Sequence, residues 1–250
     1  MRPTTCVTPP ASPATDMFRR IVTSALLAGA AAGVIAAVLQ LVFVQPILLQ
    51  AEAFEAGGHA HAAGHAEVPH AHPETGGAGP MRDLLSVLFK LLIYCGYALI
   101  LVPAMAIAGD RGARIDGRTG LIWGIAGFVA VHLAPGFGLA PEVPGVSAAD
   151  LLARQIWWAV TVAMTAVALW LIAFERGWIA WGAAIVLLLA PHLYGAPVPD
   201  TMTGTAPTEI GALFAARALG VGLAAWVMLG GFAGFFWSRG PLTVGAPRPA

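Results

Sequence analysis

The chain reads as an all-α polytopic membrane protein of about six transmembrane helices, or five if one is re-entrant. Three observations carry that reading: a series of long apolar stretches, a scarcity of charge, and a separation of arginines from histidines along the chain. Of the 250 residues, 58% are hydrophobic and only 10% charged, where a soluble domain carries about 25% charged residues. Mean hydropathy is +0.77.

A helix needs about 20 mostly apolar residues to cross a bilayer. Six stretches qualify: residues 21–44, 84–108, 119–139, 153–174, 178–195 and 210–237. The third and fifth are the weakest, being short and interrupted by proline near one end. Residues 1–16, rich in Pro, Thr and Ala, form an N-terminal tail expected to be disordered, and residues 241–250 a C-terminal tail. Met17 is an alternative start, because Met17-Phe-Arg-Arg20 leads straight into the first apolar run. That run exceeds the roughly 7–15 apolar residues of a signal peptide. It therefore reads as an uncleaved helix, although Ala51-Glu52-Ala53 resembles a cleavage triplet.

Arginine and lysine placement sets the orientation. With the N-terminus inside, nine basic residues fall on cytoplasmic segments (Arg2, Arg19, Arg20, Arg111, Arg114, Arg118, Arg176, Arg239 and Arg248) against four elsewhere, namely Arg82, Lys90, Arg154 and Arg217. An N-in, C-in arrangement follows. It places all seven histidines on or near the outer face, with Glu142, Asp150, Asp200 and Glu209.

Between the first two spans, the stretch from Glu52 to Glu74 concentrates His59, His61, His65, His70 and His72 with Glu52, Glu55, Glu67 and Glu74 among Gly and Ala. We read residues 57–80 as a His-rich, loop-like extracytoplasmic segment within a transmembrane domain spanning 17–240. Imidazole and carboxylate are donors for borderline divalent metals, and His-rich tracts are compositionally metal-binding. The segment is then a metal collector, or a low-complexity solvated linker whose histidines only titrate. Glu52 and Glu55 share a face if the first helix continues past Pro46: a carboxylate pair at a pore mouth, or an interfacial turn ending the span. His132 and His192 end the third and fifth spans beside Ala-Pro. Each is a candidate metal ligand, or a histidine bonding the last free carbonyls of its helix. Arg154 has Glu142 or Asp150 as partner, and Arg217 has Glu209. Trp157 and Trp158 read as interfacial anchors.

The third and fifth spans also resemble one another, each with a Trp-Gly pair near its start and Leu-Ala-Pro near its end (Leu133-Ala-Pro135 and Leu189-Ala-Pro191). Proline-interrupted segments at matching places point to substrate sites in transporters. Gly29/Gly33, Gly120/Gly124 and Gly230/Gly234 are small-xxx-small pairs that mark close helix packing or oligomerisation.

Several classes are set aside. There is no Gly-x-x-x-x-Gly-Lys-Ser/Thr run for nucleotide and no His-Glu-x-x-His for a metalloprotease. Zero net charge gives no field for nucleic acid. The two cysteines, Cys6 and Cys95, lie in different environments and suggest neither a disulfide framework nor a thiolate site. No enzyme and no tightly bound cofactor is expected. The residues alone suit entry of a divalent cation from outside, and they leave Co(II), Ni(II) and Zn(II) undistinguished. A non-transporting metal sensor and a structural membrane subunit remain the other readings.

The motifs Gly120-Leu-Ile-Trp-Gly124, Leu133-Ala-Pro135, Gly138-Leu-Ala-Pro-Glu-Val-Pro-Gly145, Ala149-Asp150 and Ala153-Arg-Gln-Ile-Trp-Trp158 resemble the CbtA family of proposed cobalt-transporter subunits. Met17-Phe-Arg-Arg20, the run from Phe43 to Glu55 and Leu189-Ala-Pro-His192 fit the same family. The resemblance implies a multi-pass protein of the bacterial inner membrane that takes up Co(II) in connection with cobalamin synthesis. It also implies a small single-span partner, CbtB, and leaves room for oligomers. At the mouth, the candidates are Glu52, Glu55, His132, Glu142 and His192.

Overall fold

A computed structural model describes residues 13–62 and 79–239. Among them the regular structure is helical: α1 (Pro13–Leu39), α2 (Gln45–Ala62), α3 (Pro80–Asp110), α4 (Gly117–Phe128), a single turn α5 (Ala134–Gly136), α6 (Leu151–Phe174), α7 (Trp178–Tyr194) and α8 (Thr208–Arg239). Wider π-helical turns, Gln40–Val44 and Val129–Leu133, join α1 to α2 and α4 to α5. Five helical stretches are long and apolar enough to span a membrane, and α7, at 17 residues, falls just short.

The first of these runs from Ala14 to Glu55. The helical backbone therefore extends well beyond both ends of the expected span. It begins at Pro13, within the expected tail, and continues to Ala62, within the stretch read as a loop. The reason lies at Pro46. Proline has no N–H to donate and its ring crowds the carbonyl four residues back. The preceding π turn widens the helix there, with the Gln45 N–H reaching Gln40 O, so the chain passes the proline without breaking. Arg217 of α8 donates to the Phe43 carbonyl at 3.1 Å within the same turn. The expected Glu209 partner is replaced by this backbone acceptor, which meets the need to satisfy loosened backbone in an apolar surround.

Helices pack through small residues. On α1, Ala25, Ala28, Ala32 and Ala36 are all buried against α3 and α8. Large aliphatic side chains such as Val34, Leu92, Ile100, Ile122 and Val186 are exposed, as expected where lipid replaces water. Glycine allows the closest approaches. A Cβ on Gly120 would overlap the Gly230 carbonyl, and one on Gly124 would overlap that of Trp226. A Cβ on Gly29 would lie 2.5 Å from Cys95 Cα and 2.9 Å from the Tyr94 carbonyl oxygen. All three small-xxx-small pairs thus serve packing within the chain.

The closely packed pairs α1–α3, α1–α8 and α4–α8 run antiparallel, and the described bundle has two chemically distinct ends. At one, Arg20 of α1 donates through Nε to Trp237 O of α8 at 3.2 Å, and Arg111 lies 3.7 Å from Glu175 and over the Trp170 ring. Asp116 caps α4 there, accepting from the Arg118 and Thr119 backbone N–H groups, while the Thr119 hydroxyl accepts from the Asp116 N–H. Those bonds, first that from Thr119, hold the Asp116 carboxyl below its ordinary range. At the other end lie Glu52, Glu55, Glu142, Asp150, Arg154 and His192. There a β-bridge between Val146 and Gly204 ties two connecting segments together.

Candidate functional site

The donor-bearing end is built on two proline-associated irregularities. In α4–α5, as in α1–α2, a five-residue π turn is followed by one residue and then proline: Val129–Leu133, Ala134, Pro135 against Gln40–Val44, Gln45, Pro46. Such π turns often occur at functional sites. The expected correspondence of the third and fifth spans does not extend to the backbone, because α7 carries Pro191 as an ordinary α-helix. The matching irregularities belong to the first and third spans, whose sequences there share little but the proline.

His132 occupies the second π turn. Its ring stacks on Phe128 at 5.9 Å and meets Tyr97 and Trp226 edge-on at 6.3 and 6.2 Å. Nδ1 is buried and without a hydrogen-bond partner among the described residues. It therefore does not cap a helix end, because the helix continues past it. A buried polar atom in this state is accounted for by a bound ion, an ordered water or strain.

A cavity of about 420 Å³ opens beside it, lined by His132, Tyr97, Glu142, Arg154, Gln155 and Trp158 among others. Arg154 Nη2 is 2.9 Å from Glu142 Oε2, and Asp150 instead caps α6 by accepting from the Ala153 N–H. Glu142 is thus the carboxylate of this cavity, held by an arginine that any incoming cation must compete with. Trp157 is a correction to the sequence reading. It is 6% exposed and donates from Nε1 to Pro191 O at 3.2 Å. An indole N–H in an apolar setting needs an acceptor, and the proline-containing turn of α7 supplies one.

The other candidates disperse around this end. Glu52 is bound by Arg82 through two bonds of 2.6 and 3.1 Å, and Glu55 packs beside Gly145 and hence close to Thr205. His192 touches Phe137 and Trp157 through its ring. His59 and His61 fall on the helical backbone of α2, while His65, His70 and His72 lie outside the described residues. Among the described residues no three His, Cys, Asp or Glu side chains gather closely enough to hold a metal ion. Sequence reasoning overlooked Gln40, Lys90 and Tyr94, which line a second cavity against His132. Lys90 was legible as a cation inside an apolar span, but nothing in the sequence paired it with His132.

Fold and site define a multi-pass helical membrane protein with cavities near one end that carry a few polar side chains among apolar ones. The chain matches the family model "Probable cobalt transporter subunit (CbtA)" over residues 18–238. It belongs to that family, and is a multi-pass membrane protein of a family of probable cobalt transporter subunits. No curated protein and no solved structure matches the chain.

Proposed function

We propose that the protein admits Co(II) from the periplasmic side, supplying cobalt for cobalamin synthesis. In this reading the His132 cavity is an early station on the path. The observation that carries it is the unpartnered Nδ1 of His132 at the border of a cavity that also holds Glu142. Imidazole and carboxylate suit a borderline divalent ion. Sparse donors are compatible with transit, since an ion held by a full shell leaves slowly. Arg154 exchanges Glu142 between its own guanidinium and the cation.

His59, His61, His65, His70 and His72 act as an outer collector, with Glu52, Glu55 and His192 around the entrance. The family description as a subunit supports a second chain, for which a small single-span partner of the CbtB type with its own histidines is the natural candidate. With no P-loop in the sequence, the membrane potential is the available driving force, about 2.3 kcal/mol per charge per 100 mV.

The test is uptake of radiolabelled Co(II) by vesicles containing the protein and its partner. Replacing His132 with alanine is expected to lower uptake by about tenfold or more, equivalent to 1.4 kcal/mol of lost stabilisation. Glu142→Gln is expected to do the same, and nickel and zinc serve as competitors. Full uptake by both variants would rule out this cavity as the path, and binding without uptake by the native protein would favour a sensor.

A further inference from the structure

A second cavity of about 230 Å³ adjoins the first at His132, Pro141 and Leu219, and is lined by α1, the two π turns, Leu48 of α2, α3 and α8. Its polar lining is Gln40, from the start of the first π turn, Lys90 and Tyr94, one turn apart on α3, and His132, from the second. No carboxylate lines it among the described residues. None of these four side chains makes a hydrogen bond or ion pair with another described residue. Aromatic rings pack against Tyr94 and His132, and the Lys90 ammonium lies near enough to act electrostatically on the His132 ring. The remaining lining is apolar, including Ala36, Val44, Phe214 and Leu219.

Charge and geometry then select the ligand. An ammonium within an apolar helix is costly unless something of opposite sign accompanies it, and such residues face a cavity or a partner for that reason. The phenol of Tyr94 and the amide of Gln40 add donors to the three of Lys90. A divalent cation is repelled by this lining, because the one full charge present is positive. The cavity is partly open, so a lipid phosphate and a free anion share the chemistry that would bind here, and the delipidated arm of the test separates them.

We propose that this cavity is a binding site for a small inorganic anion of chloride size, held by Lys90 with Tyr94 and Gln40 as hydrogen-bond donors. The site shares the His132 wall with the metal station but holds Lys90 where that cavity holds Glu142, and anion binding does not depend on cobalt being the cargo. The bound anion offsets the ammonium, and so lowers the positive potential that a cation beside His132 would otherwise meet.

Radiolabelled chloride binding to the purified full chain in detergent tests the proposal without any metal. The native protein is expected to bind saturably at one site per chain. Lys90→Met should lose at least about tenfold in affinity and Tyr94→Phe about threefold, the scale of one charged and one neutral hydrogen bond. Lys90→Arg should keep the site. Circular dichroism and size-exclusion profiles identify a variant that has failed to fold, and Gln40→Leu then serves in its place, with a similar few-fold loss. Phosphate and sulfate compete only if they fit, and delipidated protein must bind as well as protein prepared with lipid. Saturable binding that survives Lys90→Met intact, or no saturable binding to the native chain, would overturn the proposal and leave Lys90 as a cation reaching towards the membrane surface.

Discussion

At the scale of single residues, the histidine of the second π turn owes its character to its neighbours. Phe128, Tyr97 and Trp226 hold the His132 ring, and Gly222 leaves room for it: a Cβ there would lie 3.3 Å from His132 Cδ2. Gly222→Ala is therefore expected to press on the ring without removing it. Cobalt uptake should fall by less than in His132→Ala, while the thermal midpoint stays near that of the native protein. Asp116 affords a pH prediction of a different kind. Its carboxyl is held low by the helix-start N–H groups, so its folded value lies below the ordinary 3.8. The contribution is complete above that ordinary value and is lost as pH falls through the depressed one. Asp116→Asn should leave stability unchanged in acid and reduce it at neutral pH, read from melting curves on either side of about pH 4.

Single residues were also where the sequence informed least. His132 was conspicuous as a polar group in an apolar run, yet its aromatic enclosure comes from Tyr97 and Trp226, 35 and 94 positions away. Arg217 plainly needed a partner, but a backbone carbonyl loosened at Phe43 carries no side-chain signature, so an acidic residue on the same helix looked the better choice. Arg154 was placed with Glu142 or Asp150, and the structure assigns Glu142 because Asp150 is engaged in capping α6.

At the scale of elements, the spans followed from hydropathy because a bilayer imposes length and apolarity on every crossing helix. Their ends and interruptions did not, since these depend on how prolines are accommodated. The glycine pairs were legible as packing surfaces from spacing alone, and the α4–α8 seam realises that at backbone contact distance. Replacing Gly124 by leucine is expected to separate these helices. Overpacking a core costs about 1–3 kcal/mol when side chains can shift, and a backbone carbonyl cannot. The variant should therefore lose more than about 3 kcal/mol, seen as aggregation in detergent or a greatly lowered melting temperature.

At the scale of the whole molecule, arginine placement and histidine placement divide the chain into two unlike ends, and the antiparallel helices carry that division into three dimensions. Which end faces the periplasm is the point on which the uptake model turns. A cysteine placed at Ala66 in a chain otherwise free of cysteine is expected to react with a membrane-impermeant maleimide in intact spheroplasts. Reaction only after lysis would reverse the direction of the proposed path.

The π turn before Pro46 governs more than the passage of a proline. A helix advances about 100° for each residue, so the additional residue accommodated between Gln40 and Val44 rotates everything that follows about the axis. A helical wheel drawn through the whole first span consequently assigns Glu52 and Glu55 to the wrong azimuth relative to the alanine stripe. Deleting Val42 should restore the ordinary winding and turn both carboxylates by about 100°, taking Glu52 away from Arg82. Cross-linking between cysteines placed at positions 52 and 82 would report that rotation directly.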